Sequence, residues 1–431
     1  MNGRLLSSLF VVSTFIVALI GLGGCGDSSP EIAAAPPGWS APQTLGSTDY
    51  VGSLSGDGSG NASLVWLAPA AGDLGGPIVS RRFAPRTEWG LAATIDPAGD
   101  RIFQAPVAGT DPQGRTIVLW PEQTGLFASR DTGTGWSPKA RISREYGHSF
   151  HAQQGIGLSA MGSALGLWSA GAARITEIAS NRFDPASGWS SPEVVWAAGA
   201  DDLTNPALAV ASSGLALAAW AEGFGSDRRL WWTTFDPRRG WAVAQTVGLA
   251  APPRLQIYGV SVALNASGQG FITWIQDDTA FASRYTTVEG PAAPEGLGQG
   301  GVGGLEVDAD GNGAAVLNQP LGQPPGLMFR RFRTGANAWD PPQPLAPEDT
   351  GGVGTLSMDT RGNAWILWCE RRGVWARRFD LTRGLLPPEQ ISPESGTIPQ
   401  VVADSEGGAM AVWVEVTGSP YTIKASRYTP R

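Results

Sequence analysis

Apolar positions along this chain come in short runs of β-branched and aromatic residues, such as "NASLVW", "RTIVLW" and "GFITWI". Each run follows a turn in which Asp or Asn stands three residues before Gly. The stretch "MDTRGNAWILW", Met358 to Trp368, shows the unit in full. The side chain of Asp or Asn bonds to its own backbone to open such a turn, and Gly supplies the positive φ that closes it. Runs of this length and composition suit strands, and no helical periodicity longer than a turn or two interrupts them.

The unit repeats. Its final Trp aligns at Trp66, Trp120, Trp168, Trp220, Trp274, Leu317, Trp368 and Trp413, at spacings of 43 to 54 residues. Nine residues upstream stand Asp57, Asp111, Ser159, Ala211, Asn265, Asp308, Asp359 and Asp404. The turn glycine is present in all eight units, as Gly60, Gly114, Gly162, Gly214, Gly268, Gly311, Gly362 and Gly407. Downstream come an Arg-aromatic strand ("VSRRFAP", "ASNRFDP", "ARRFD") and a fourth strand marked by Trp89, Trp136, Trp189, Trp241 or Trp339. Eight such four-stranded units predict an all-β fold, an eight-bladed β-propeller over residues 38–431. The chain opens on "GWSAPQTL", a fourth strand with no unit before it, and ends on "KASRYTPR", a third strand with nothing after it. The N-terminal strand is therefore expected to complete the last blade and close the ring.

Repetition also sorts candidate chemistry. The recurrent Trp are expected in the spaces between blades, leaving Trp196, Trp231, Trp365 and Trp375 as better candidates for exposed aromatics. Arg82, Arg182, Arg284, Arg331, Arg378 and Arg427 recur before the third-strand aromatic, where they either form a cationic ring or stack within the blades. Two residues past the repeat Trp, six units carry an acid or amide: Glu122, Glu222, Gln276, Gln319, Glu370 and Glu415. They begin the loops joining second and third strands. They are the candidate ligand-binding residues, set against simple hairpin closure. "DADGNG" offers Asp308, Asp310 and Asn312 as the first half of a calcium loop, but it sits at an ordinary repeat turn and lacks the closing Glu. His148 and His151 have no evident third metal ligand. The "GLGQGG" stretch precedes no helix, so no cofactor is expected.

Composition adds an address. The first 24 residues join Arg4 to the apolar run "LLSSLFVVSTFIVALIGL", followed by Leu22-Gly23-Gly24-Cys25. This resembles a lipoprotein signal peptide in which Cys25 is lipidated; an uncleaved membrane-spanning anchor is the alternative. Residues 25–37 are small and Pro-rich and read as a tether. With Cys25 lipidated, Cys369 has no disulfide partner. A net charge of −8 and only two lysines, Lys139 and Lys424, disfavour nucleic acid as a partner.

Over residues 38 to 431 the chain resembles bacterial Trp-rich β-propeller repeat lipoproteins in architecture and repeat style. Sialidase Asp-boxes place Trp three residues after Gly, whereas here Trp lies six after it. Quinoprotein dehydrogenases and the barrel-assembly lipoprotein use other spacings again. Gly26 after Cys25, rather than Asp, resembles lipoproteins that travel to the outer membrane, so attachment there, facing the periplasm or the cell surface, is expected, as is a monomer. No nucleophile–base motif stands out, so a recognition module for a glycan or envelope protein is expected. An assembly scaffold or a carbohydrate-active enzyme are the alternatives.

Overall fold

The computed structural model describes residues 38–430 apart from 49, 71–74, 98–104, 147–153, 172–174, 199–202, 204–205, 224–227, 249–255, 319–325, 347–352, 417 and 419. The proposed signal peptide, Cys25 and the tether lie outside these residues. So do His148, His151 and Gln319.

Eight antiparallel sheets form a ring, an eight-bladed β-propeller. Blades 1 to 7 occupy residues 50–96, 107–141, 154–197, 207–246, 257–299, 301–344 and 354–392. Blade 8 combines Gly396–Ala403, Ala409–Glu415 and Tyr421–Thr429 with two N-terminal pieces, Gly38–Trp39 and Gln43–Thr48. Gly38 pairs with Thr429 and Gln43 with Ala425, as expected for closure by the first strand. The innermost strand of each blade touches that of the next, and Tyr50–Gly56 meets Gly396–Ala403 to complete the circle.

The fourth strand is broken in each blade. In blade 3, Gly188–Trp189 and Glu193–Ala197 both pair with Glu177–Asp184. Between them lies an exposed bend, Ser190-Ser191-Pro192, and Pro42, Pro294, Pro342 and Pro388 occupy the same place in four other blades. Proline withholds a ladder donor, so in these five blades the bend discourages the outer edge from pairing with another sheet.

The core is divided. Among the described residues, eight apolar clusters each lie between two neighbouring blades. Each second strand turns alternate side chains to opposite neighbours: Trp66 and Leu64 pack with blade 8, Val65 and Leu67 with blade 2. All seven repeat Trp, and Leu317, are buried to within 2% exposure against the preceding blade. A buried Trp removes roughly 150–250 Å² from water, an upper bound of ~4–6 kcal/mol at ~25 cal/mol/Å².

The repeated Arg hold the blades together. Arg130, Arg182, Arg284, Arg331 and Arg427 lie over Phe183, Phe235, Phe332, Phe379 and Phe83, each in the following blade, at 4.9–5.7 Å. Blade 2 has Asp131 in place of the aromatic, and there Arg82 forms an ion pair instead. Arg378 stacks on Trp365 of its own blade. Trp365 is therefore not an exposed aromatic. It is 3% exposed, enclosed by Trp39 and Tyr428.

All eight turn glycines have φ between +76° and +92°. At Gly362 a second constraint acts, because an added Cβ would lie 2.6 Å from Asp308 Oδ2 of blade 6. Gly384 (φ +74°) has open space around it. Gly362→Ala should therefore lose about 1–3 kcal/mol, clearly more than Gly384→Ala, in paired denaturant titrations. Equal losses would show that the inter-blade contact at Gly362 has no weight.

Candidate functional site

The two faces of the ring are built differently. On one, turns between first and second strands run to five residues in seven blades and four in blade 5. There Asp57, Asp111, Asp308, Asp359 and Asp404 each accept bonds from two backbone N–H groups of their own turn. Asp308 Oδ2 also accepts from Asn312 Nδ2 at 2.9 Å, and Asn312 Oδ1 accepts from Thr334 N. In the calcium candidate, then, the Asp308 carboxylate and the Asn312 amide oxygen both serve the turn. Among the described residues no group of three or more His, Cys, Asp or Glu could hold a metal ion.

The opposite face carries the connections between second and third strands. These range from two residues in blades 2, 5 and 7 to ten in blade 1. Differences between repeats concentrate where a fold leaves sequence free for ligands. Glu122, Glu222, Gln276, Glu370 and Glu415, the candidates among the described residues, stand on this face, one to a blade and not gathered into one cluster.

Three of them cap their own Trp. Glu122 Oε1 accepts from Trp120 Nε1 at 3.0 Å, Glu370 Oε1 from Trp368 Nε1 at 2.6 Å, and Gln276 Oε1 from Trp274 Nε1 at 3.5 Å. Such a partner stabilises a buried indole N–H, and the indoles of Trp168, Trp220 and Trp413 are buried without one. Glu415 pairs with Lys424 at 3.2 Å, and Glu222 ends its strand half-buried. Glu122 also meets Lys139 Nζ at 2.7 Å, which reaches Asp96 of blade 1 at 3.2 Å. Burial disfavours the Lys139 charge, yet these two carboxylates together raise its pKa.

Other groups stand on this face, among them Trp231, which pairs with Trp220 as Phe127, Phe281 and Trp375 pair with the repeat Trp of their blades. In blade 5, Asp277 and Asp278 form a two-residue turn with φ of +47° and +62°. Tyr258 donates its hydroxyl to Asp278 Oδ1 at 2.8 Å, and burial with that bond pushes its phenol to about 12. In blade 4, Trp231 stacks with Trp196 of blade 3 at 4.3 Å, both half-buried. Between blades 2 and 3, Tyr146 donates its hydroxyl to Glu177, whose other oxygen pairs with Arg144. Sequence spacing does not disclose this last group, because Glu177 lies in the next blade, 31 and 33 residues from Tyr146 and Arg144.

No protein-family model matches the chain, and no curated protein does. Among solved structures it is similar to the Dos1 propeller, with a TM-score of 0.56 and 9% identity over 90% of this chain and 94% of that one. It is also similar to polysaccharide lyase Uly1 (TM-score 0.47, 11% identity, 98% of both chains). A third is NanB sialidase from Streptococcus pneumoniae (TM-score 0.44, 8% identity, 91% and 94%). At these identities the likeness is one of fold.

Two outcomes follow. Glu370→Leu leaves the Trp368 indole without its acceptor and should cost about 1–3 kcal/mol, whereas Glu370→Gln keeps the bond and most of the stability. Equal losses in thermal melts would show that the carboxylate does not act as a cap. Glu306 stands on the inner strand of blade 6, where the other blades carry Gly, Ala, Ser or Val. Although partly accessible, it is desolvated by the protein around it, which raises its carboxyl well above the usual range. A raised carboxyl contributes stability below its unfolded pKa, and that contribution is lost as pH rises through the folded pKa. Glu306→Gln should therefore flatten the fall in melting temperature above about pH 4.3. An unchanged pH profile would contradict this.

Proposed function

We propose that the protein is a lipid-anchored, non-enzymatic recognition module of the bacterial cell envelope, binding a glycan on the face that carries the connections between second and third strands. The contrast between the two faces is the observation that supports this. The repeated turns use their polar groups on each other, while the opposite face differs from blade to blade in loop length and in polar and aromatic side chains. Sugar ligands are commonly met by that mixture of hydrogen-bonding groups and aromatic surface. The apolar start ending in Leu22-Gly23-Gly24-Cys25 supports attachment through lipid on Cys25 and an outer-membrane address.

Cell fractionation and a glycan array test the two halves. Cys25→Ser should move the protein from the membrane fraction to the soluble fraction of the envelope, unless the apolar segment is an uncleaved span. The soluble chain from Gly26 onward should retain a defined set of glycans without cleaving them. Retention of none, with a stoichiometric envelope protein recovered instead, would replace this function with scaffolding. Release of new sugar ends would make the protein an enzyme.

A further inference from the structure

We propose that Arg144, Tyr146 and Glu177 form a binding site for an acidic sugar, with the ligand's anionic group on Arg144 and a neighbouring hydroxyl on Tyr146. This rests on the glycan reading above and assigns it a place and a ligand class. The three side chains close a triangle. Glu177 opens the third strand of blade 3, with its side chain 9% exposed. Tyr146 donates to one of its oxygens and Arg144 Nη2 pairs with the other. Arg144 Nε donates in turn to the Tyr146 hydroxyl at 3.3 Å.

Three features bear on what this group can do. The first is a diverted carboxylate. Blades 2, 5 and 7 place an acid or amide two residues past the repeat Trp to cap its indole, whereas blade 3 has Ala170 there. Its acid stands instead on the paired strand, opposite Ala170, as Glu177. The indole N–H of Trp168 is left buried without a partner. Trp220 and Trp413 are uncapped as well, although Glu222 and Glu415 stand two residues after them, so what distinguishes blade 3 is the place of its carboxylate, on the paired strand, where it holds Tyr146 and Arg144.

The second is spare donor capacity. Arg144 directs two bonds to Tyr146 and Glu177, and a guanidinium has five N–H groups. Its side chain is 56% exposed, which leaves guanidinium donors accessible to a carboxylate or sulfate. Glu177 holds the guanidinium plane in place. The third feature is rigidity. Tyr146 N donates to Thr124 O at 3.0 Å, Ile142 N to Leu126 O at 2.9 Å, and Ser143 Oγ accepts from Leu126 N at 2.9 Å. The segment bearing both ligand-facing groups is therefore fixed to blade 2 before any ligand arrives, which lowers the ordering cost of binding.

Calorimetric titration of the soluble chain from Gly26 onward with oligogalacturonate, a sulfated galactan and a neutral galactan tests the site. At least one acidic glycan should bind about tenfold tighter than the neutral one. Comparing the carboxylated and sulfated ligands identifies the anion. Tyr146→Phe and Arg144→Met should each weaken that binding by about tenfold. Tyr146→Phe retains the ring and carries the test if Arg144→Met destabilises the fold. Equal binding of acidic and neutral glycans, or binding indifferent to Tyr146→Phe, would overturn this site while leaving glycan recognition intact. Failure to bind any glycan would overturn both.

Discussion

The pairing of Gly38–Trp39 and Gln43–Thr48 with the C-terminal strand Tyr421–Thr429 is the interaction on which the other packing depends. Among the described residues no blade has a core of its own, because each apolar cluster is shared between two blades. Eight blades in a row would leave an apolar sheet face exposed at each end, and closure brings those two faces together. The seam is built as densely as the other interfaces. Gln400 Oε1 accepts from Leu54 N at 2.7 Å and Gln400 Nε2 donates to Gly52 O at 3.1 Å. Ser405 N reaches Gly58 O at 2.9 Å, and Arg427 lies over Phe83. The cavity there, lined by Gly60, Asn61, Asp404 and Arg427 among others, measures about 10 Å³, room for a single water.

A closed ring of equivalent blades separates two kinds of residue. Positions filled alike in most blades meet the same neighbour each time, and what they do is structural: Trp between sheets, Arg on the next aromatic, Asp within its turn. Positions that break the pattern have no such common task. Blade 3 exchanges the usual acid for Ala170 and sets Glu177 across the strand pair. Blade 6 puts Glu306 where the other blades keep an uncharged side chain. Function in such a molecule is to be sought among the exceptions, on the face whose connections are free to vary.

Much of this was legible in the sequence, because strands and turns repeat at fixed offsets. The turn glycine located all eight turns between first and second strands, the Trp spacing located seven second strands with Leu317 in the remaining one, and the unmatched strands at the two ends implied closure. Side-chain partners across strands or blades were harder to read. Glu122 and Glu370 look like a polar rim in the sequence, yet each lies beside the Trp two residues before it, since a strand returns side chains to the same face with period two. Trp365 lies outside the repeat and so suggested an exposed ring, but Arg378, Trp39 and Tyr428 cover it from two blades. The Tyr146–Glu177 contact depends on how a connection from blade 2 lies against blade 3, which no local spacing encodes.

Native-state hydrogen exchange along Tyr421–Thr429 tests closure most directly. This strand is interior to its sheet only if the N-terminal strand lies beside it; otherwise it is an edge with half its amides open to water. Closure predicts that all its paired amides exchange as slowly as those of Gly373–Asp380, the matching strand of blade 7, through the same global unfolding event. Fast exchange at alternate residues of Tyr421–Thr429, with blade 7 still protected, would contradict it.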